Sequence, residues 1–210
     1  MASLRFEMYG EWDLGDLDTL AATLKLTYAY FYWSGVSPTS MPPRIRSLLS
    51  RYFWTGDYIG DRFAEQIYWE IPLVDRVQLK SIEYHSPGWI EIAGVAGALG
   101  ACAAAVTAWI DAADRTLGFI ERVENFFRDR KLQSIPKKFS LSDLDGRTLD
   151  EARKACFEAG EFLGMERTHV ENIIDITGNP ISALRMLMVM AGSAKKTGRL
   201  SSNGKLKLPK

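Results

Sequence analysis

Residues 86–111 read SPGWIEIAGVAGALGACAAAVTAWID, and the way this stretch divides into elements decides the fold. From Ile92 to Ile110 it runs for 19 residues without a charge, between Glu91 and Asp111. Ser86 suits the position before a helix, where its hydroxyl accepts from a free N–H. Pro87 suits the first helical position, where its missing donor would have been unpaired anyway. No breaker of comparable strength follows before Pro136. The pattern therefore predicts one helix from about Pro87 to about Leu132, roughly 65–70 Å long at ~1.5 Å per residue. Its second half carries Ala113, Leu117, Ile120, Val123 and Phe127 on one stripe, with Asp114, Arg115, Glu121, Arg122, Glu124 and Arg128 off it, the pattern of an amphipathic helix.

The uncharged half, 92–110, reaches about 28 Å, close to the ~30 Å hydrocarbon core of a bilayer, so its length permits a transmembrane helix. Thirteen of its 19 residues are Ala, Gly, Cys or Thr, which leaves a lone span weakly driven to insert. The small residues point to helix–helix packing instead. Gly94, Gly97 and Gly100, with Ala101 and Ala104, leave a surface on which a second helix backbone can approach closely. The expectation is a homo-oligomer built on this helix, packed in lipid or as the core of a soluble assembly. In lipid, Arg115, Arg122, Arg128, Arg130 and Lys131 would hold the C-terminal end on the cytoplasmic side. The aromatic-rich N-terminal part would then have to cross the membrane, which favours either conditional insertion or a helix that enters the bilayer only in an oligomer.

Outward from this segment the signals are local. Leu4, Phe6 and Met8 alternate with Arg5 and Glu7 as in a half-buried strand. Leu17, Leu20, Leu24, Tyr28 and Phe31 form one face of a helix beginning near Asp16 or Asp18 and ending by the run SGVSPTSMPP. Helices are predicted from Pro43 to Trp54, closed by Thr55-Gly56, and from Tyr58 to Trp69, and a second strand from Val77 to Tyr84. Towards the C-terminus, Thr148/Glu151 and Thr168/Glu171 have capping-box spacing, Gly164 and Gly178 are natural stops, and Asn179-Pro180 opens a helix through about Met190. The predicted class is α+β and predominantly helical: a small two-stranded N-terminal part (1–86), a long central helix (87–132), a C-terminal helical cluster (139–193) and a mobile basic tail (194–210).

The composition, 47% hydrophobic and 25% charged, excludes wholesale disorder. The opening MASLRFEMYGEWD has no apolar leader core, which argues against secretion. The 26 basic and 26 acidic residues balance, but six of the bases and none of the acids lie in 194–210, leaving 20 basic against 26 acidic residues elsewhere. Candidate phosphate contacts are Arg44, Arg46 and Arg51, interleaved with aromatic residues at Tyr52, Phe53 and Trp54, and Lys195 and Lys196 of the tail. Such groups can hold a single-stranded oligonucleotide or anionic headgroups, although most of the aromatic residues are expected to fill the core. Catalytic signals are poor: His85 and His169 lack a nucleophile and base in a recognisable local motif, and there is no phosphate loop, dinucleotide fingerprint or zinc signature. Cys102 and Cys156 stand alone, so neither a disulfide scaffold nor a metal or cofactor is expected.

The blocks LRFEMYGEWDLGDLDTL, IEYHSPGWIEIAG and ITGNPISALRML resemble a loose group of bacterial proteins that share a strand-helix start and an SPG-initiated small-residue helix. The resemblance implies a bacterial or phage-related source and a common architecture, and it brings no catalytic residues. By analogy with small proteins that join a sensing domain to one membrane-active helix, the expectation is a non-enzymatic, oligomeric, membrane-associated effector of antiphage defence, disruptive or channel-like, at the inner membrane or in the cytoplasm. The alternative is a soluble α+β interaction or oligonucleotide-binding module with the apolar helix buried.

Overall fold

A computed structural model describes residues 2–54, 60–111, 113–129 and 144–207. The class is α+β and mostly helical, as the sequence patterns predict, with four strands among the described residues rather than two. Strands β1 (Ala2–Met8), β2 (Gln78–Glu83), β3 (Gly88–Gly94) and β4 (Leu206–Lys207) form one antiparallel sheet in the order β2-β3-β1-β4. The helices are α1 (Leu14–Ser34), α2 (Pro43–Trp54), α3 (Gly60–Trp69), α4 (Ala96–Asp111), α5 (Ala113–Asp129), α6 (Gly146–Phe162), α7 (Arg167–Thr177) and α8 (Pro180–Ser202).

The decisive stretch divides differently from the sequence expectation. Ser86 and Pro87 lie in the turn between β2 and β3, joined by a cis peptide bond, and do not start a helix. Residues 88–94 are the central strand. Ile90 and Ile92 point to one face, opposite Phe6 and Leu4, while Trp89 and Glu91 point to the other, opposite Glu7 and Arg5. That is a period of two. The apolar count over 92–110 hides it because Ala93, Gly94 and Val95 carry no charge and merge the end of the strand with the uncharged helix that follows. The outer face is polar: Arg5 pairs with Glu91 at 3.4 Å and its guanidinium lies 4.3 Å from the centre of the Trp89 ring.

The helix begins only at Ala96. It buries Ala98, Leu99, Cys102, Ala105, Val106 and Trp109, one face at helical spacing, and α4 packs on β1, β3, α1 and α8. Its 16 residues rise about 24 Å, short of a bilayer core. Among the described residues no helix is long and apolar enough to cross a membrane, which corrects the transmembrane expectation. One small residue of α4, Ala108, serves close packing inside the chain. Gly164, at φ +68°, closes α6 in the left-handed region, and a Cβ there would come within 2.7 Å of the Ala108 methyl. The Trp109 indole donates to the Leu163 carbonyl at 3.2 Å beside it.

The predicted mobile tail is ordered through Lys207. Helix α8 continues past Met190 to Ser202, burying Ala194, Thr197, Gly198 and Leu200, and β4 then pairs with β1, placing Leu206 opposite Met8 in the core. The Lys205 ammonium sits 2.5 Å from the Asp16 carboxylate, which holds that carboxyl below its ordinary pKa range. Two predicted caps also move. Asp145, not Thr148, caps α6, accepting from the Thr148 N–H at 2.6 Å. Glu166 precedes α7, so Thr168 lies inside the first turn. The Asn179-Pro180 start holds, with Asn179 accepting from the Ser182 N–H at 2.8 Å. Helix α1 starts earlier than expected, capped by Asp13, whose carboxylate accepts from the Asp16 N–H while Asp16 accepts from the Asp13 N–H. The predicted stops at Thr55-Gly56 and Pro136, and the helix end at Leu132, lie outside the described residues.

Candidate functional site: an apolar cleft between α1 and the sheet

The inner face of the sheet is covered unevenly. Phe6, Met8 and Leu206 are wholly buried, whereas on β2 Leu79 is 61% and Ile82 47% exposed. By simple alternation Leu79 and Ile82 would face opposite ways. They share a face because β2 bulges at Lys80: Leu79 stands opposite Ile92, Ser81 opposite Glu91, and Ile82 opposite Ile90, leaving Lys80 as the extra residue.

Helix α1 crosses this half of the sheet, and two tyrosine hydroxyls flank the stretch that faces it, one at Trp12 just before the helix and one at Tyr28 within it. At the N-terminal end the Tyr84 hydroxyl donates to the Trp12 carbonyl at 3.3 Å and accepts from the Trp12 N–H at 3.4 Å. At the other end the Tyr28 hydroxyl donates to the Asp75 carbonyl at 2.5 Å and accepts from the Val95 N–H at 2.9 Å. Gly94 makes the second tie possible, since a Cβ there would lie 2.8 Å from the Tyr28 ring. Tyr32 adds a bond to the Asp75 carboxylate at 2.8 Å; burial and that acceptor push its phenol up to about 12.

Between the ties the helix stands off the sheet, leaving a cleft of about 290 Å³. Leu17, Leu20, Ala21 and Leu24 form its helical wall, Leu79, Ile82, Ile90 and Ile92 its sheet wall, and Tyr68 and Val77 one end. Two polar side chains reach it, Lys25 and Gln78. No ion pair or side-chain hydrogen bond joins Lys25 to another described residue. On the other side of α1, Lys25 also borders a polar hollow of about 240 Å³ with Asp18, Glu65, Ser193 and Lys196. Fully covering a leucine or isoleucine side chain gains about 1.5–3 kcal/mol, so the exposed parts of Leu79 and Ile82 leave favourable binding energy unused.

The residues singled out from sequence lie elsewhere. Gly94 belongs to β3, not to the helix face proposed for it. Gly97, Gly100 and Ala104 are exposed on α4, and Ala101 is half-buried. Arg44 pairs with Glu70 at 3.0 Å, and the Arg46 guanidinium donates to the Pro38 carbonyl, so these two of the three α2 arginines have local partners. The Arg51 side chain and those of Tyr52, Phe53 and Trp54 lie outside the described residues. Lys195 and Lys196 sit on α8, a different element from the α2 arginines. Tyr28, Tyr30, Phe31, Trp33 and Phe63 are core. His85 bonds Glu83 at 2.8 Å on the surface, and His169 stands edge-on to Phe31. Both cysteines are buried, and burial pushes each thiol up to about 12, so neither is a thiolate near neutral pH.

The cleft itself was not found from sequence. Leu17, Leu20 and Leu24 read as an ordinary core face. The available signal was the break in alternation across Leu79-Lys80-Ser81-Ile82, which is what a bulge looks like in sequence. Comparison with family models, curated proteins and solved structures gave no match.

Proposed function

We propose that this chain is a non-enzymatic binding module that takes an apolar partner into the cleft between α1 and β2. The observation that carries the reading is the pair Leu79 and Ile82, aliphatic side chains about half or more open to water on a sheet face whose Phe6, Met8, Ile90, Ile92 and Leu206 are buried. A concave, mostly apolar site with a few polar groups at its rim is the usual form of a ligand pocket. The reading follows the interaction-module alternative, with the apolar helix buried. The test is binding of a neutral, environment-sensitive dye to the purified chain. Dye fluorescence should rise on binding and fall to background in Leu79→Glu, whose near-ultraviolet circular dichroism should match that of the parent. A dye signal that persists in a folded Leu79→Glu protein rules the cleft out as the site.

Self-association has one supporting observation of its own. A Cβ built on Gly97 or Gly100 would meet nothing within 4 Å, so the outer face of α4 is smooth and open to a second backbone. Gly97→Leu should then lower the mass measured by light scattering, and an unchanged mass discards that contact.

A further inference from the structure

Resting on the cleft reading above, we propose that the occupant is a single-chain amphiphile with an anionic head, an alkyl carboxylate whose chain lies along α1 and whose carboxylate pairs with Lys25. Three observations select this chemistry. The first is shape. The helical wall runs from Leu17 to Lys25, about 12 Å at ~1.5 Å per residue, between ends tied by the Tyr84 and Tyr28 hydroxyls, so the site is a slot. Its volume, about 290 Å³, lies just below the ~300–1,000 Å³ range of ligand pockets and suits a short or medium alkyl chain.

The second is the character of the walls. Apart from Lys25 and Gln78 they are Leu, Ile, Ala and Val, with Tyr68 the one aromatic lining residue, and its hydroxyl is already committed to the Val77 carbonyl at 3.0 Å. No array of donors and acceptors is offered to a base or a sugar. A ligand that satisfies these walls is aliphatic over most of its length.

The third is charge. Lys25 is the single ionisable aliphatic-stemmed group at the slot, half-buried and without an ion pair among the described residues. Its stem can lie along the apolar wall while its ammonium meets a head group at the end. Asp18 and Glu65 border the hollow on the far side of α1 and are the acids a ligand carboxylate must outcompete. An added peptide strand is the less favoured occupant, because the bulge at Lys80 interrupts the free edge of β2 on which such a strand would pair.

The experiment measures binding of decanoate, decanol and decyltrimethylammonium to the full chain at neutral pH by calorimetry, each below its micelle concentration. Decanoate should bind at least about tenfold more tightly than decanol, as expected for a charge-assisted contact, and the cation most weakly. Lys25→Gln should bring decanoate down to the decanol value, Lys25→Arg should restore most of the preference, and Lys80→Gln, on the exposed bulge, should change nothing. Equal binding of decanoate and decanol, or a preference that survives Lys25→Gln, overturns the head-group assignment while leaving the cleft reading in place. Failure of all three amphiphiles, with neutral dye still bound in a Leu79-dependent way, overturns the alkyl carboxylate and points to a protein partner. Loss of the dye signal as well overturns the cleft reading itself.

Discussion

The two halves of the sheet's inner face are built from the same kinds of residue and meet different fates. On β1 and β4, Phe6, Met8 and Leu206 are at most 1% exposed, and α4 packs on β1 and β3. On β2, Leu79 and Ile82 face the same way and remain open, because α1 is tied at Trp12 and at Tyr28 and stands clear between them. Hydrophobicity alone does not make a residue core; a second layer has to reach it. Where the layer is incomplete, the leftover apolar surface is available for binding.

The sharpest way to break this comparison is to truncate one side chain in each half. Phe6→Ala should cost about 3–5 kcal/mol, the range for removing a buried aromatic ring, and Ile82→Ala less than about 1 kcal/mol, since half of that side chain is already in water. Urea denaturation followed by circular dichroism reads both. Similar losses for the two would mean that β2 is covered in solution.

A smaller effect is expected at the seam between the halves. Gly94→Ala puts a methyl within 2.8 Å of the Tyr28 ring and must displace the hydroxyl that ties α1 to Asp75 and Val95. Overpacking of this kind costs about 1–3 kcal/mol. Hydrogen exchange should show the Val95 amide losing protection before the β1–β3 ladder does.

Alkaline pH should separate the halves most gently. Burial raises the Cys102 and Cys156 thiols from 9.0 to about 12, and Tyr32 from 10.0 to about 12. A folded-state pKa above the unfolded value means that stability is complete below the unfolded pKa and is lost as pH rises towards the folded one. Stability should therefore be flat up to about pH 8.5 and fall between pH 9 and 12, with a loss on the order of 1 kcal/mol per thiol by pH 9.5. Cys102→Ala should reduce the slope, and Ile82→Ala should leave it unchanged.

Elements whose signals are local were legible. The start of α2 at Pro43 follows from a first-turn proline, and Asn179-Pro180 marks the start of α8, because cap and proline chemistry act within one turn. The alternation of Leu4, Phe6 and Met8 marks β1, since the two faces of a strand differ wherever one of them is buried. Composition and these patterns together were enough for a mostly helical α+β class.

Other features depend on contacts distant in sequence. Residues 88–94 are a strand because β1 and β2 supply hydrogen-bond partners on both sides; the same small and β-branched residues without those partners read as the start of a helix. Lys195, Lys196 and Arg199 read as a solvated tail, yet Ala194, Thr197, Gly198 and Leu200 bury the other face of that helix, and Leu206 then closes the sheet against Met8. The cleft was decided last of all. Its walls come from α1, β2 and β3, and its openness rests on a bulge at Lys80 and on ties at Trp12 and Tyr28, none of which alters the local periodicity of Leu17, Leu20 and Leu24. Sequence alone determined which face of α1 and of β1 is apolar, because side-chain type and spacing suffice where the element is regular and read correctly. Tertiary structure decided which of those faces is covered, because burial requires a partner surface brought in from elsewhere in the chain.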